Sequence, residues 1–203
     1  MIENSNKNPL EKYYRQPAIY IKLPSGGRYY SKEAFTPSET GEIPILPMTA
    51  KDELAFKTPD AMLNGQATVD VIKSCVPNML DPWQMVNYDT DAILLGIRIA
   101  TYGETMDIKY TTPVTNEEQD HTLNLSAVLE EVNKLKIEDY TTTSKGFKIK
   151  VQPITYKQVA KVQIARFEQQ KMIGTVNDST LTEGQKQTAF SKSWEILNTV
   201  NFS

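Results

Sequence analysis

Residues 81–103 read "DPWQMVNYDTDAILLGIRIATYG", the most apolar segment of the chain. Ile93, Leu94, Leu95, Ile97 and Ile99 fall so close together that a helix carrying them is apolar almost all round. A helix of that kind belongs in the middle of a core, with its neighbours packed about it. Asp89 or Asp91 is placed to cap its start, and Gly103 to end it in a left-handed conformation. At least two of Leu94, Leu95 and Ile97 are expected to be nearly fully enclosed. The apolar run 92–100 is interrupted by Arg98 and is too short to cross a bilayer.

Working outward, "AIYIKL" (18–23) and "EIPIL" (42–46) have strand character. Pro44 and Pro47 make the second strand short or an edge. Between them lies "LPSGGRYY" (23–30), whose paired glycines could cradle a phosphate or only turn the chain. A phosphate loop needs converging N–H groups at a helix start, yet neither G-x-x-x-x-G-K-[ST] nor G-x-G-x-x-G is present. "RYY" favours a strand, so a β-hairpin with φ > 0 at Gly26 or Gly27 is expected. "TAKDELAF" (49–56) begins a helix with Thr49 as N-cap and Asp52 completing a capping box. "TPDAML" (58–63) repeats the start signal, with Thr58 as N-cap and Pro59 at the first helical position. Asn64-Gly65 then separates it from a helix carrying Val69, Ile72 and Val76 at helical spacing.

Downstream, "TMDIKYTTPVTNEEQDHTLNLS" (105–126) alternates about a polar turn as a hairpin does. "AVLEEVNKL" is a short amphipathic helix, and "GFKIKVQPI" (146–154) a further strand. From Thr155 the character changes. A Thr155-x-x-Gln158 capping box opens a helix with an expected apolar stripe of Val159, Val162, Ile164 and Phe167. A polar linker at 174–181 leads to a second helical pattern with Phe190, Trp194 and Leu197. The expected organisation is a flexible Asn- and Lys-rich arm (1–16), a core domain (17–152) and a C-terminal helical hairpin (153–203). The fold class is α+β: a small, mainly antiparallel sheet packed around the central apolar helix.

Composition narrows the function. The 203 residues are 39% hydrophobic and 23% charged, ordinary for a globular chain. A net charge of −3 gives no electrostatic footprint for nucleic acid, and no basic amphipathic helix or long apolar run suggests stable membrane insertion. The polar start lacks the apolar segment of a signal peptide, and the single cysteine rules out an internal disulfide framework; both fit a reducing cytoplasm. His121, the only histidine, sits among polar strand residues and reads as an exposed edge residue. Cys75 has apolar helical neighbours and reads as a buried, inert thiol. One cysteine and one histidine cannot build a structural zinc site, and "DTDAILL" lacks the glycine of a calcium loop. Glu117/Glu118 and Glu130/Glu131 read as a turn and a solvated helix face. No catalytic, cofactor-binding or metal-ligating residue is therefore assigned. Aromatic residues without interleaved basic ones point to packing and to protein contacts.

Four segments in order carry a family resemblance: "YIKLPSGGRYY" (20–30), "GEIPILPMTAKDELAFKTPDAMLNGQATVDVIKSCV" (41–76), "DTDAILLGIRIATYG" (89–103) and the hairpin at 104–125. Together they resemble the baseplate hub subunit and hub-assembly proteins of contractile-tailed phages of the T-even type. The resemblance implies a non-enzymatic structural or assembly protein made in the host cytoplasm, with other baseplate hub proteins, and its own copies, as partners. It carries over no metal site, since the turn "TTPVTNEEQDHT" has no cysteine. Tyr13, Tyr14, Tyr156, Phe167, Phe190 and Trp194 are the candidate partner-binding residues, because Tyr and Trp are enriched among binding hot spots. The competing reading is a tail-associated cell-wall hydrolase encoded by a phage, which requires a cleft with a carboxylate of perturbed pKa.

Overall fold

A computed structural model describes residues 14–58, 65–113, 116–135 and 140–202. Strand β1 (Ile19–Lys22) pairs antiparallel with β2 (Glu42–Ile45), Ile19 opposite Ile45 and Lys22 opposite Glu42. Helix α1 (Ala50–Ala55) starts at the expected capping box: the Asp52 N–H donates to Thr49 Oγ1 and the Thr49 N–H donates to the Asp52 carboxylate. Helix α2 (Gln66–Cys75) follows, with Val69, Ile72 and, just past its end, Val76 buried as their spacing predicts. The helix start expected at Thr58-Pro59 lies mostly outside the described residues. A 3-10 turn (Pro82–Gln84) leads into α3 (Asn87–Tyr102). Then come β3 (Thr105–Thr111), β4 (Glu118–Asn124), α4 (Leu125–Lys134), β5 (Tyr140–Ser144) and β6 (Phe147–Val151). Helices α5 (Tyr156–Asn177) and α6 (Glu183–Phe202) close the chain as a packed hairpin.

The class is α+β, with the strand content divided into three two-stranded antiparallel ribbons, β1–β2, β3–β4 and β5–β6. Helix α3 is the centre. It runs under β1–β2, and Gly96 permits the approach: a Cβ there would lie 3.4 Å from two atoms of Ile21 and 3.5 Å from Ile45. Ile21, Ile43, Ile45, Val71, Ile72, Met79, Met85, Ile93 and Ile97 form the buried core between ribbon, α2 and α3. Gly103 ends α3 at φ +93°, as expected of that position.

Four expectations need correction. First, 23–30 is not a hairpin. Both glycines do have positive φ (+64° and +74°), but Tyr29 is also left-handed at +71°, which no strand accommodates, and β1 pairs with β2 instead. The segment is a string of turns drawn onto the start of α3. Second, neither Asp89 nor Asp91 caps α3. The cap position is Val86, and Asp89 lies inside the first turn with its carboxylate aimed at the 23–30 segment. Third, of Leu94, Leu95 and Ile97 only Ile97 is buried, and Ile93 and Ile99 complete the inner face. Helix α3 covers one side of the core and leaves Leu94 and Leu95 at its margin. Fourth, α5 continues helical through Gly174 and Thr175, so the linker is shorter than expected and spans 178–182.

Candidate interaction surface

The start of α5 is fixed to the core by its own backbone. The Tyr156 N–H donates to the Met85 carbonyl at 2.7 Å, and the Asn87 N–H donates to the Ile154 carbonyl at 3.0 Å. Thr155 and Gln158 form the expected capping box. Tyr156 stacks obliquely on Trp83, with ring centroids 5.8 Å apart, and lies against Gly65, where a Cβ would sit 3.1 Å from its hydroxyl. Tyr156 is therefore part of the chain's own packing.

Beyond that anchor the hairpin faces two ways. Residues Tyr156, Ala160 and Glu168 recur at four- and eight-residue intervals and turn inward, as do Ser193 and Leu197 of α6. The seam thus encloses a carboxylate and a hydroxyl-bearing residue. Glu168 Oε2 accepts no hydrogen bond and has only the Lys171 ammonium at 3.9 Å. The expected stripe of Val159, Val162, Ile164 and Phe167 is not the buried face: Val162 and Phe167 are exposed, while Val159 and Ile164 are half-buried. For Val162 the reason is geometric, since the core fixes Tyr156 and Ala160 and Val162 lies about 200° round the helix from Ala160; Phe167, seven residues after Ala160, stays on the Ala160 side but is exposed.

Apolar side chains accordingly gather on the outside. Phe167 is 42% exposed, Phe190 45% and Trp194 55%. The Phe190 and Trp194 rings stack nearly parallel at 7°, with centroids 6.4 Å apart. With Met172, Ile173, Val176 and Leu197 they line a groove of about 440 Å³ along the hairpin. A second groove, about 610 Å³, runs between the 3-10 turn and α5 and is lined by Trp83, Lys157, Lys161 and Ile164. Of the remaining candidates, Tyr14 is exposed at the start of the described chain, and Tyr13 lies outside the described residues. Phe190 and Trp194 thus line the groove, whereas Phe167, on the same hairpin, and Tyr14 and Tyr156 do not belong to it.

Two buried polar clusters hold shifted titrations, and sequence reasoning missed both. Asp89 is closed to solvent and accepts from the Ser25 N–H at 2.9 Å, the Ser25 hydroxyl at 2.5 Å and the Tyr30 hydroxyl at 2.7 Å. Burial pushes its carboxyl up, and the three hydrogen bonds only partly offset that. Burial and the neighbouring Asp89 charge push the Tyr30 phenol up as well. Ser25 is equally buried, and the only histidine is on β4, exposed and opposite Ile108. The cluster binds loop to helix, with the Ser25 hydroxyl donating to Asp89 and not to a histidine.

In the second cluster, Arg15 reaches from the end of the expected arm. It donates to the Pro47 carbonyl at 2.8 Å and the Ser74 carbonyl at 2.6 Å, and pairs with Asp52 at 3.5 Å. Burial pushes the Asp52 carboxyl up, but hydrogen bonds from Thr49 and Ser74 and the Arg15 charge outweigh it and hold it below the usual range. Cys75 next to it is buried, and burial with the Asp52 charge pushes its thiol up, the opposite of an activated thiolate. Among the described residues, no group of three or more His, Cys, Asp or Glu could hold a metal, and no helix is long and apolar enough to cross a membrane.

Residues 17–195 match the family described as T4 bacteriophage base plate protein. No curated protein and no solved structure matches the chain. The match covers most of the sequence, and the chain belongs to the T4 bacteriophage base plate protein family.

Proposed function

We propose, from the premise of membership in a baseplate protein family, that this chain is a hub component or hub-assembly factor of the phage tail. It works through protein–protein contacts and not through catalysis, is made in the host cytoplasm and reaches the tail baseplate by docking other hub proteins. The observation that carries this reading is the groove on the α5–α6 hairpin, lined by the exposed Phe190 and Trp194, with Phe167 exposed elsewhere on α5 while Glu168 and Ser193 are buried. A hairpin that served only its own chain would reverse that arrangement, because covering a large apolar side chain contributes roughly 1.5–3 kcal/mol. Two helices also expose one face each unless a third element covers them. In this reading the chain divides into an arm (1–16), a core (17–152) and a hairpin (153–203), with the hairpin as the docking part.

The test is a triple variant, Phe167→Ala with Phe190→Ala and Trp194→Ala, assayed for co-sedimentation with hub assembly intermediates. Loss of co-sedimentation with an unchanged circular dichroism spectrum is expected. Normal co-sedimentation by the folded variant would overturn the assignment of the hairpin as the docking unit.

A further inference from the structure

The β3–β4 and β5–β6 ribbons differ in a way that the hairpin does not explain. Directly paired residues share a face of a ribbon, and successive residues alternate. In β3–β4, the pairs Asp107–Thr122, Lys109–Asp120 and Thr111–Glu118 form one face, and Glu117 adjoins it at the turn. The opposite face carries Met106, Ile108 and Tyr110 on β3, paired with Leu123, His121 and Gln119 on β4. In β5–β6, the pairs Thr141–Lys150 and Thr143–Lys148 form one face, with Lys145 at the turn, and Tyr140–Val151, Thr142–Ile149 and Ser144–Phe147 form the other. Residues 140–151 contain three lysines and no acid, whereas residues 104–121 contain five acids against the single Lys109. Each ribbon therefore has an apolar face and a charged face, and the charges are opposite.

The β5–β6 ribbon is the less covered of the two, since Met106 and Leu123 of β3–β4 pack against the core. Every residue of β6 is exposed, Phe147 to 75%. An isolated two-stranded ribbon is marginally stable in water, and its outer edges offer unpaired N–H and C=O groups. Among the described residues, no further strand pairs with β4 or β6.

We propose that β6 of one copy adds edge to edge to β4 of a second copy of this chain, joining two ribbons into one four-stranded sheet. This juxtaposition matches both faces at once. Lys148 and Lys150 come beside Glu118 and Asp120, and Phe147, Ile149 and Val151 extend the face of Leu123, Ile108 and Tyr110. The backbone edges supply the ladder of hydrogen bonds, as in other strand additions. The occupant is a second copy because the complementary acidic ribbon is built into the chain itself. Reciprocal exchange closes a two-fold dimer, and one-way exchange builds a ring. The contact is independent of the α5–α6 groove, so its failure and the failure of hub docking are separately visible.

Sedimentation velocity of the full chain across a salt series tests it. At low salt the species should weigh at least twice the 23.0 kDa of one chain, and fall towards one chain as salt screens the charged face. The double variants Lys148→Glu/Lys150→Glu and Glu118→Lys/Asp120→Lys should each lose the larger species while keeping the circular dichroism spectrum of the parent. Mixing the two variants should restore it, because each reversed ribbon meets a complementary one. A parent chain that stays at single-chain mass throughout, variants that keep the parental mass, or a mixture that remains monomeric would each overturn the proposal.

Discussion

Replacing Asp89 by alanine tests whether one buried carboxylate fastens the 23–30 segment to α3. The side chain accepts three hydrogen bonds, from the Ser25 N–H, the Ser25 hydroxyl and the Tyr30 hydroxyl, with Ser25 and Asp89 both closed to solvent. Asp89→Ala leaves three donors without an acceptor, each costing about 1–3 kcal/mol. The Tyr30 oxygen still accepts from the Val86 N–H at 3.2 Å, and the hydroxyls can rotate, so the sum falls near the lower end, about 3–5 kcal/mol. At about 2–4 °C per kcal/mol for a chain of this size, the melting temperature should drop by about 6–20 °C. Asp89→Asn keeps the shape and one acceptor and should cost about 1–2 kcal/mol. The pH dependence has a definite sign. Because burial raises the folded-state pKa, the folded chain holds a proton on Asp89 that the unfolded chain has released. The aspartate's contribution is full below the unfolded value, about 3.9, and is lost as pH rises through the folded value. The stability gap between the parent and Asp89→Asn should therefore be widest near or below pH 4 and narrow as pH rises, measured by urea titration at several pH values. A gap that widens with pH, or an Asp89→Ala chain within about 1 kcal/mol of the parent, would refute the reasoning.

Two further outcomes follow from the same packing. Gly27→Ala should destabilise more than Gly26→Ala, although both sites have positive φ, because a Cβ at Gly27 lies 3.0 Å from the Phe35 ring while that at Gly26 meets open space; thermal melts of the two variants give the comparison. Ile97→Ala should cost about 2–5 kcal/mol in chemical denaturation, and Leu94→Ala distinctly less, since Ile97 is enclosed and Leu94 lies at the margin of the core.

Local signals in the sequence were legible where the chemistry is local. The Thr49–Asp52 and Thr155–Gln158 capping boxes and the Gly103 stop each depend on residues a few positions apart, the 105–124 hairpin pairs residues 7 to 19 apart through one turn, and each is present. What the sequence concealed depends on distant partners. Arg15 meets Asp52 and Ser74 across 37 and 59 residues, and Asp89 meets Ser25 across 64, so a carboxylate that looked like a helix cap is a clasp for another segment. The "RYY" run failed as a strand for the same reason. Strand propensity is a preference for a half-buried pleated surface. The Tyr30 hydroxyl instead goes to Asp89, and the Tyr29 backbone adopts a left-handed turn to let it.

The hairpin shows how periodicity alone can mislead about which face is inside. A stripe of Val159, Val162, Ile164 and Phe167 is the more apolar choice, yet the core fixes Tyr156 and Ala160, and every later turn of α5 inherits that rotation at about 100° per residue. Over the roughly 33 Å of a 22-residue helix, that rotation turns Val162, Ile173 and Val176 away from the Ala160 side, whereas Phe167, seven residues after Ala160, stays on the Ala160 side and is exposed all the same. Rotating α5 to bury Ile173 and Val176 would pull Tyr156 off Trp83 and away from Gly65, losing the backbone bond to Met85 that anchors the hairpin. The outward apolar groove is thus tied to the anchor. A substitution that loosens Tyr156 should reduce docking through the groove even though Tyr156 itself lies outside it.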